Sequence, residues 1–224
     1  MALRINYNEA ASKAQRGLAA SQDAYTSQAE ALSSGLRINK ASDDAAGMAV
    51  SERLKNQVRG LNQAQRNAQD GISMIQTAEG GLSEIANLLA RMRELAVQSA
   101  NDTLTSTDRT NLNAEFTQLQ AEITRIGNAV TFNGTVLLNA SASFTLQIGA
   151  NSTAASNQLA LALTDNRATA TGIALTSNDV TSQTSGSVAI TQIDTAINTI
   201  STNRASLGAM QSRLESAVRS LAVA

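Results

Sequence analysis

Few residues in this sequence could do chemistry, and their spacing narrows what that chemistry could be. Asp43 and Asp44 are adjacent carboxylates that follow Ser42. General acid–base work needs two carboxylates facing each other across a cleft, whereas neighbours on one helix point apart. Ser42-Asp43-Asp44 therefore reads as a helix N-cap, with its negative charge set at the positive end of the helix dipole. Lys13, Lys40 and Lys55 lack the Ser-x-x-Lys spacing of an acylating serine, and no glycine-rich loop follows a strand to cradle phosphate. The chain contains no His and no Cys. That excludes the usual zinc sites, cysteine nucleophiles and Ser-His-Asp triads. The expectation is a protein that is not an enzyme and has no cofactor and no metal.

The charge pattern removes two further classes. Seventeen basic residues face eighteen acidic ones for a net charge of -1, without the cationic excess that non-specific nucleic-acid binding requires. No apolar run approaches the ~20 residues of a membrane span, and the N-terminus has no apolar signal core. Neither nucleic acid nor membrane is an expected partner. Hydrophobic residues make up 42% of the 224, yet aromatics only 2%, so the apolar share is chiefly Ala, Leu, Ile and Val. Small aliphatic side chains suit helices that approach closely. Proline is absent, so no ring interrupts a helix.

Periodicity supplies the elements. Tyr7, Ala11, Ala14, Leu18, Tyr25, Ala29, Leu32 and Leu36 trace one thin helical stripe, too narrow to hold a helix without a partner. Gly35 ends it. From Val58 to Ala100 a heptad repeats six times, with Leu61, Ala68, Ile75, Leu82, Leu89 and Ala96 at one position. Ala64, Gly71, Ala78, Ile85, Met92 and Ser99 lie three residues later. This predicts a coiled-coil-like helix of roughly 60 Å. Gly60, Gly71, Gly80 and Gly81 inside it suggest close approach to a neighbour, with a bend at Gly80-Gly81 as the alternative. After Asn101-Asp102-Thr103, a helix from Ser106 carries Leu112, Phe116, Leu119, Ile123, Ile126 and Val130, and the short connection makes it an antiparallel neighbour. Asn133-Gly134 between Val130-Thr131-Phe132 and Thr135-Val136-Leu137 signals a hairpin, and Phe144, Leu146, Ile148 and Leu159, Leu161, Leu163 alternate as strands. From Val188 the heptad returns with Ile193, Ile200, Leu207, Leu214 and Leu221. The expected fold is mainly α, an elongated antiparallel long-helix bundle with a small β-hairpin insert.

Several motifs resemble those of the bacterial flagellins. They are Ser33-Ser34-Gly35-Leu36-Arg37-Ile38-Asn39, Ser42-Asp43-Asp44-Ala45-Ala46-Gly47 and Arg66-Asn67-Ala68-Gln69-Asp70-Gly71-Ile72-Ser73. Arg93-Glu94-Leu95-Ala96-Val97-Gln98-Ser99-Ala100, Phe132-Asn133-Gly134 and Asn203-Arg204-Ala205-Ser206-Leu207-Gly208-Ala209 with Arg213-Leu214-Glu215 extend the match. The resemblance implies a subunit that self-assembles with its own copies into the flagellar filament, outside the cell, for motility. It divides the chain into a filament-core helix over residues 1–44, a helical rod over 45–129 and 187–224, and a short β-rich variable insert over 130–186. Within the core helix, Tyr7, Leu18, Tyr25, Leu32 and Leu36 are the expected self-assembly contacts. An export chaperone and a filament cap are further implied partners. In the family, the Arg213-Leu214-Glu215 helix leads into another helical segment, so the sequence is expected to be a shortened form rather than an unusual natural member. The alternatives are a hook-filament junction protein of the same superfamily, or a shortened monomeric receptor ligand.

The same resemblance implies a second role, as ligand of the animal flagellin receptor, a Toll-like receptor. The matching residues are Arg91, Leu95 and Glu115. Arg91 and Leu95, four apart, share a helix face, and Glu115 lies on the following helix. Taken on residue type alone, Arg91 and Glu115 read as solvated charges and Leu95 as rod packing.

Overall fold

The computed structural model describes residues 8–169, 172–175 and 179–223. In chain order the elements are α1 (Glu9–Ser34), α2 (Ala45–Ser99), α3 (Ser106–Ala129), β1 (Thr131–Phe132), β2 (Thr135–Val136), β3 (Ala142–Gln147), α4 (Ala154–Asn157), β4 (Gln158–Leu163) and α5 (Gln183–Leu221). The chain divides into two compact units, one ending at Arg59 and the other running from Gly60.

In the first unit, Asn8 caps α1 by accepting the Ala11 N–H at 3.1 Å, and Gly35 terminates the helix in the left-handed conformation. The Ser42-Asp43-Asp44 cap forms, and its two carboxylates divide the work. Asp44 accepts the Gly47 N–H at 2.8 Å and so caps α2. Asp43 closes the preceding turn by accepting the N–H groups of Asn39 at 3.1 Å and Lys40 at 3.0 Å. These two bonds hold its carboxyl below the ordinary range. Lys40 reaches back to Glu30 of α1 at 2.6 Å. No described residue of α1 is buried.

The second unit is an antiparallel bundle. Along α2, Gly71, Arg93 and Ala96 meet Leu214, Asp194 and Gly186 of α5 in that order, so the two helices run in opposite directions. Gly81 lies against Val130 just past α3, while Arg91 meets Glu115 on α3, which sets α3 antiparallel to α2 as well. The predicted heptad is the buried face. Of its twelve residues, Ala64, Ala68, Gly71, Ile75, Ala78, Leu82, Ile85, Leu89, Met92, Ala96 and Ser99 are buried and Leu61 is half-buried. Met74, Gly81 and Leu95 are buried too. They form a third stripe, because α2 is covered by two helices rather than one. Phe116 and Ile123 of α3, and Ile193, Ile200, Leu207 and Leu214 of α5, complete the core.

Helix α2 passes through Gly80-Gly81 without interruption. A Cβ on Gly81 would sit 2.7 Å from Val130 Cγ2 and 2.8 Å from Leu138 Cδ1, whereas Gly80 has open space. Close approach, not a bend, is what Gly81 serves. Thr105 caps α3 in a capping box with Asp108. Asn133 and Gly134, both at positive φ, make the turn between β1 and β2. β3 and β4 pair antiparallel from Ala142 opposite Leu163 to Gln147 opposite Gln158, and β4 buries Leu159, Leu161 and Leu163. The segment before α5 is fastened by polar side chains. Ser99 Oγ donates to the Val180 carbonyl at 2.6 Å, Asn113 accepts the Val180 N–H at 3.0 Å, and Gln120 donates to the Leu175 carbonyl at 2.6 Å.

Candidate functional site

Three features could carry function: a charged face across α2 and α3, a seam between α2 and α5, and the exposed stripe of α1. On the first, Arg91 Nε donates to Glu115 at 2.9 Å and Arg91 Nη1 donates to Glu94 at 2.9 Å. One guanidinium thus bridges two carboxylates on two helices, and these bonds raise its already high pKa, Glu115 contributing most. The pairs are half-exposed and worth little to folding. The expected site residues Arg91 and Glu115 are therefore brought together at the surface. Leu95 is not beside them at the surface. It is 1% exposed, in the third buried stripe of α2, beneath the face that Arg91 presents.

At the seam, Arg93 of α2 donates to Asp194 of α5 at 2.7 Å, which pulls the Asp194 carboxyl below its ordinary value. Sequence reasoning did not find this pair, because the partners are a hundred residues apart and no local period links them.

In α1 the stripe residues are open to solvent. Leu18 is 63% exposed, Tyr25 77%, Leu32 87% and Leu36, just past the helix, 52%. Tyr7 lies outside the described residues. Four large apolar side chains so displayed exceed what a lone surface helix tolerates without a partner. Among the described residues no group of His, Cys, Asp and Glu could hold a metal ion. No helix among them is long and apolar enough to cross a membrane.

A helix that leaves its apolar stripe open, in a chain that also forms a bundle of long heptad helices, marks a subunit to be completed by other subunits, and comparison with known proteins bears on it directly. Residues 5–143 match the bacterial flagellin N-terminal helical region, and residues 190–224 match the C-terminal helical region. The chain belongs to the flagellin family. It is 47% identical to a flagellin of Halalkalibacterium halodurans over 97% of this chain and 79% of that one. It is 39% identical to a flagellin of Bacillus subtilis over 98% of this chain and 82% of the relative. Among solved structures, the Bacillus cereus flagellin superposes with a TM-score of 0.62 at 32% identity, over 70% of this chain and 88% of that one. A flagellar hook-associated protein of Vibrio parahaemolyticus has a TM-score of 0.68 over 82% of this chain and 94% of its own, but at 14% identity it shares the fold alone. Flagellins are structural proteins, not enzymes. As a flagellin, the chain is a structural subunit of the flagellar filament, assembling with other flagellin subunits.

Proposed function

We propose that α1 is the filament-core element of this flagellin, and that Tyr7, Leu18, Tyr25, Leu32 and Leu36 are its assembly contacts. The observation that carries this is that no residue of α1 is buried despite its apolar stripe. An amphipathic helix gains its stability by covering that stripe, and in the assembled filament the cover comes from other subunits. In the same reading, residues 45–129 and 187–224 form the rod and residues 130–186 the short insert. The subunit is exported to the cell exterior with the help of an export chaperone, and a filament cap guides its addition. Sedimentation of the parent chain beside Leu32→Asp and Tyr25→Asp tests the assembly contacts. Polymer from the parent and none from the variants is expected, and equal polymer from all three overturns the assignment.

A second role, as ligand of the animal flagellin receptor, is favoured by one observation. The family-matched Arg91 and Glu115 are an exposed interhelical pair, 2.9 Å apart. A guanidinium fork held in place by two carboxylates is the kind of anchor that dominates protein interfaces. Leu95, packed beneath, fixes the helix turn from which Arg91 projects. Binding of purified monomer to the receptor ectodomain, with Arg91→Ala, Glu115→Ala and Leu95→Ala in parallel, tests this role. Three variants that bind like the parent would remove it.

A further inference from the structure

The chain carries one Asn-Gly pair, Asn133-Gly134, and it forms the whole of the turn between β1 and β2. Asn133 stands at φ 48° and Gly134 at φ 78°, the positive values that a two-residue hairpin turn demands at both positions. Both residues are exposed. Among the described residues, neither the Asn133 carboxamide nor the Gly134 N–H has a hydrogen-bond partner. A Cβ added to Gly134 would meet nothing within 4 Å, so the approach to its nitrogen is open.

Asparagines in the other connections are held or hindered. Asn101 accepts the Thr103 N–H at 3.2 Å, and Asn166 is buried and accepts from Asn203 at 2.6 Å. Asn139 and Asn151 are followed by Ala140 and Ser152, whose Cβ atoms crowd the backbone nitrogen. The β1–β2 hairpin, by contrast, has only two residue pairs, Thr131 with Val136 and Phe132 with Thr135. So short a ribbon opens readily. Opening matters because attack of the Gly134 nitrogen on the Asn133 side chain requires rotation about the Asn133 Cα–C bond, which the closed turn resists.

We propose that Asn133 is a site of spontaneous covalent modification, converting to aspartate and isoaspartate through a cyclic imide each time the hairpin opens. The Gly134 backbone nitrogen gives its proton to hydroxide and attacks Asn133 Cγ. The new C–N bond closes the imide ring as the Cγ–Nδ2 bond breaks, and the amide leaves as ammonia after taking a proton from water. Water then opens the ring. Cleavage between Cγ and the Gly134 nitrogen gives aspartate, and cleavage between the Asn133 carbonyl carbon and that nitrogen gives isoaspartate. Nothing is oxidised or reduced. Either product adds a negative charge, but isoaspartate also lengthens the backbone by one methylene. A two-residue turn cannot absorb that length and keep its register. The hairpin is closed by the Leu137 N–H donating to the Val130 carbonyl at 3.0 Å, and Val130 and Leu138 lie against Gly81 of α2. Isoaspartate at 133 therefore loosens the packing of the insert on the bundle. The modification does not depend on the filament reading.

The test uses the unaltered full chain, aged in buffer at neutral and mildly alkaline pH, with and without enough urea to unfold it. Peptide mass mapping locates each amide lost, and enzymatic methylation of isoaspartate counts the rearranged product. In the native chain, Asn133 is expected to react several-fold faster than any other asparagine, in proportion to hydroxide concentration. Urea should speed it further by removing the turn. An intact Asn133 amide in a native chain whose Asn151 has reacted overturns the proposal, and so does a rate at Asn133 that ignores pH. A rate unchanged by urea overturns the gating by hairpin opening. The isoaspartate fraction, separated by charge, should unfold at a lower temperature than the parent, while Asn133→Asp, which has the charge without the added methylene, stays near the parent. Equal midpoints for the isoaspartate fraction and Asn133→Asp overturn the part played by the lengthened turn.

Discussion

The guanidinium of Arg91 on α2 and the carboxylate of Glu115 on α3 meet at 2.9 Å on the outside of the bundle, twenty-four residues apart in sequence. Their contact joins two antiparallel helices without entering the core, so its removal tests the proposed recognition role apart from folding. Arg91→Ala is expected to leave the thermal midpoint close to that of the parent while weakening receptor binding by about tenfold or more, the size of a moderate interface hot spot. Thermal denaturation and binding on the same monomer preparation check both halves. A variant that unfolds early would show that the pair is structural instead.

Gly80 and Gly81 are neighbours with opposite expected responses. At Gly80 an added Cβ meets nothing within 4 Å, so Gly80→Ala should stabilise α2 by about 0.5–1 kcal/mol through lower backbone entropy in the unfolded chain. At Gly81 the Cβ would collide with Val130 and Leu138 together, and Gly81→Ala should destabilise by about 1–3 kcal/mol. Urea unfolding of the two variants gives the signs directly. Equal effects would mean that α2 shifts to make room.

Ser99 is wholly buried and donates to the Val180 carbonyl at 2.6 Å. Ser99→Ala leaves that carbonyl without its donor, at an expected cost of about 1–3 kcal/mol. Amide exchange of Val180, whose N–H is held by Asn113, should quicken in the variant. An unchanged rate would show that Asn113 alone holds the segment.

The pH dependence follows from carboxyls that all shift downward and one lysine that shifts upward. The carboxyls of Asp43, Asp108, Glu122, Asp179 and Asp194 are each lowered, by hydrogen bonds from backbone N–H groups, hydroxyls or an arginine. A carboxyl whose folded pKa is depressed contributes stability above its unfolded pKa, and that contribution fades as pH falls through the folded pKa. The loss should therefore begin only below about pH 4, the ordinary carboxylate range. Lys40, raised by Glu30, acts on the other side, its contribution fading as pH climbs through its raised value. With no His in the chain, denaturation midpoints should be flat from about pH 5 to pH 9. A transition near pH 6–7 would be incompatible with this accounting.

The helices, the Gly35 end of α1 and the Asp44 cap and buried face of α2 were legible in the sequence because each is written locally. Heptad spacing, a glycine at Gly35, a carboxylate at Asp44 and Asn133-Gly134 at a turn act through neighbours within a few residues. The family too was legible, since its motifs are runs of adjacent residues. Only tertiary structure decided what covers each face. Leu95 shares a helix face with Arg91 in the linear pattern, yet it is buried because α2 is flanked by both α3 and α5, which widens the apolar stripe beyond two heptad positions. Gly80 and Gly81 are identical as letters, and only the position of Val130 and Leu138 distinguishes them. The Arg93–Asp194 and Ser99–Val180 contacts join residues 101 and 81 positions apart. No periodicity connects such partners, because their meeting depends on where the chain returns after the insert, and the packing of the whole bundle sets that return.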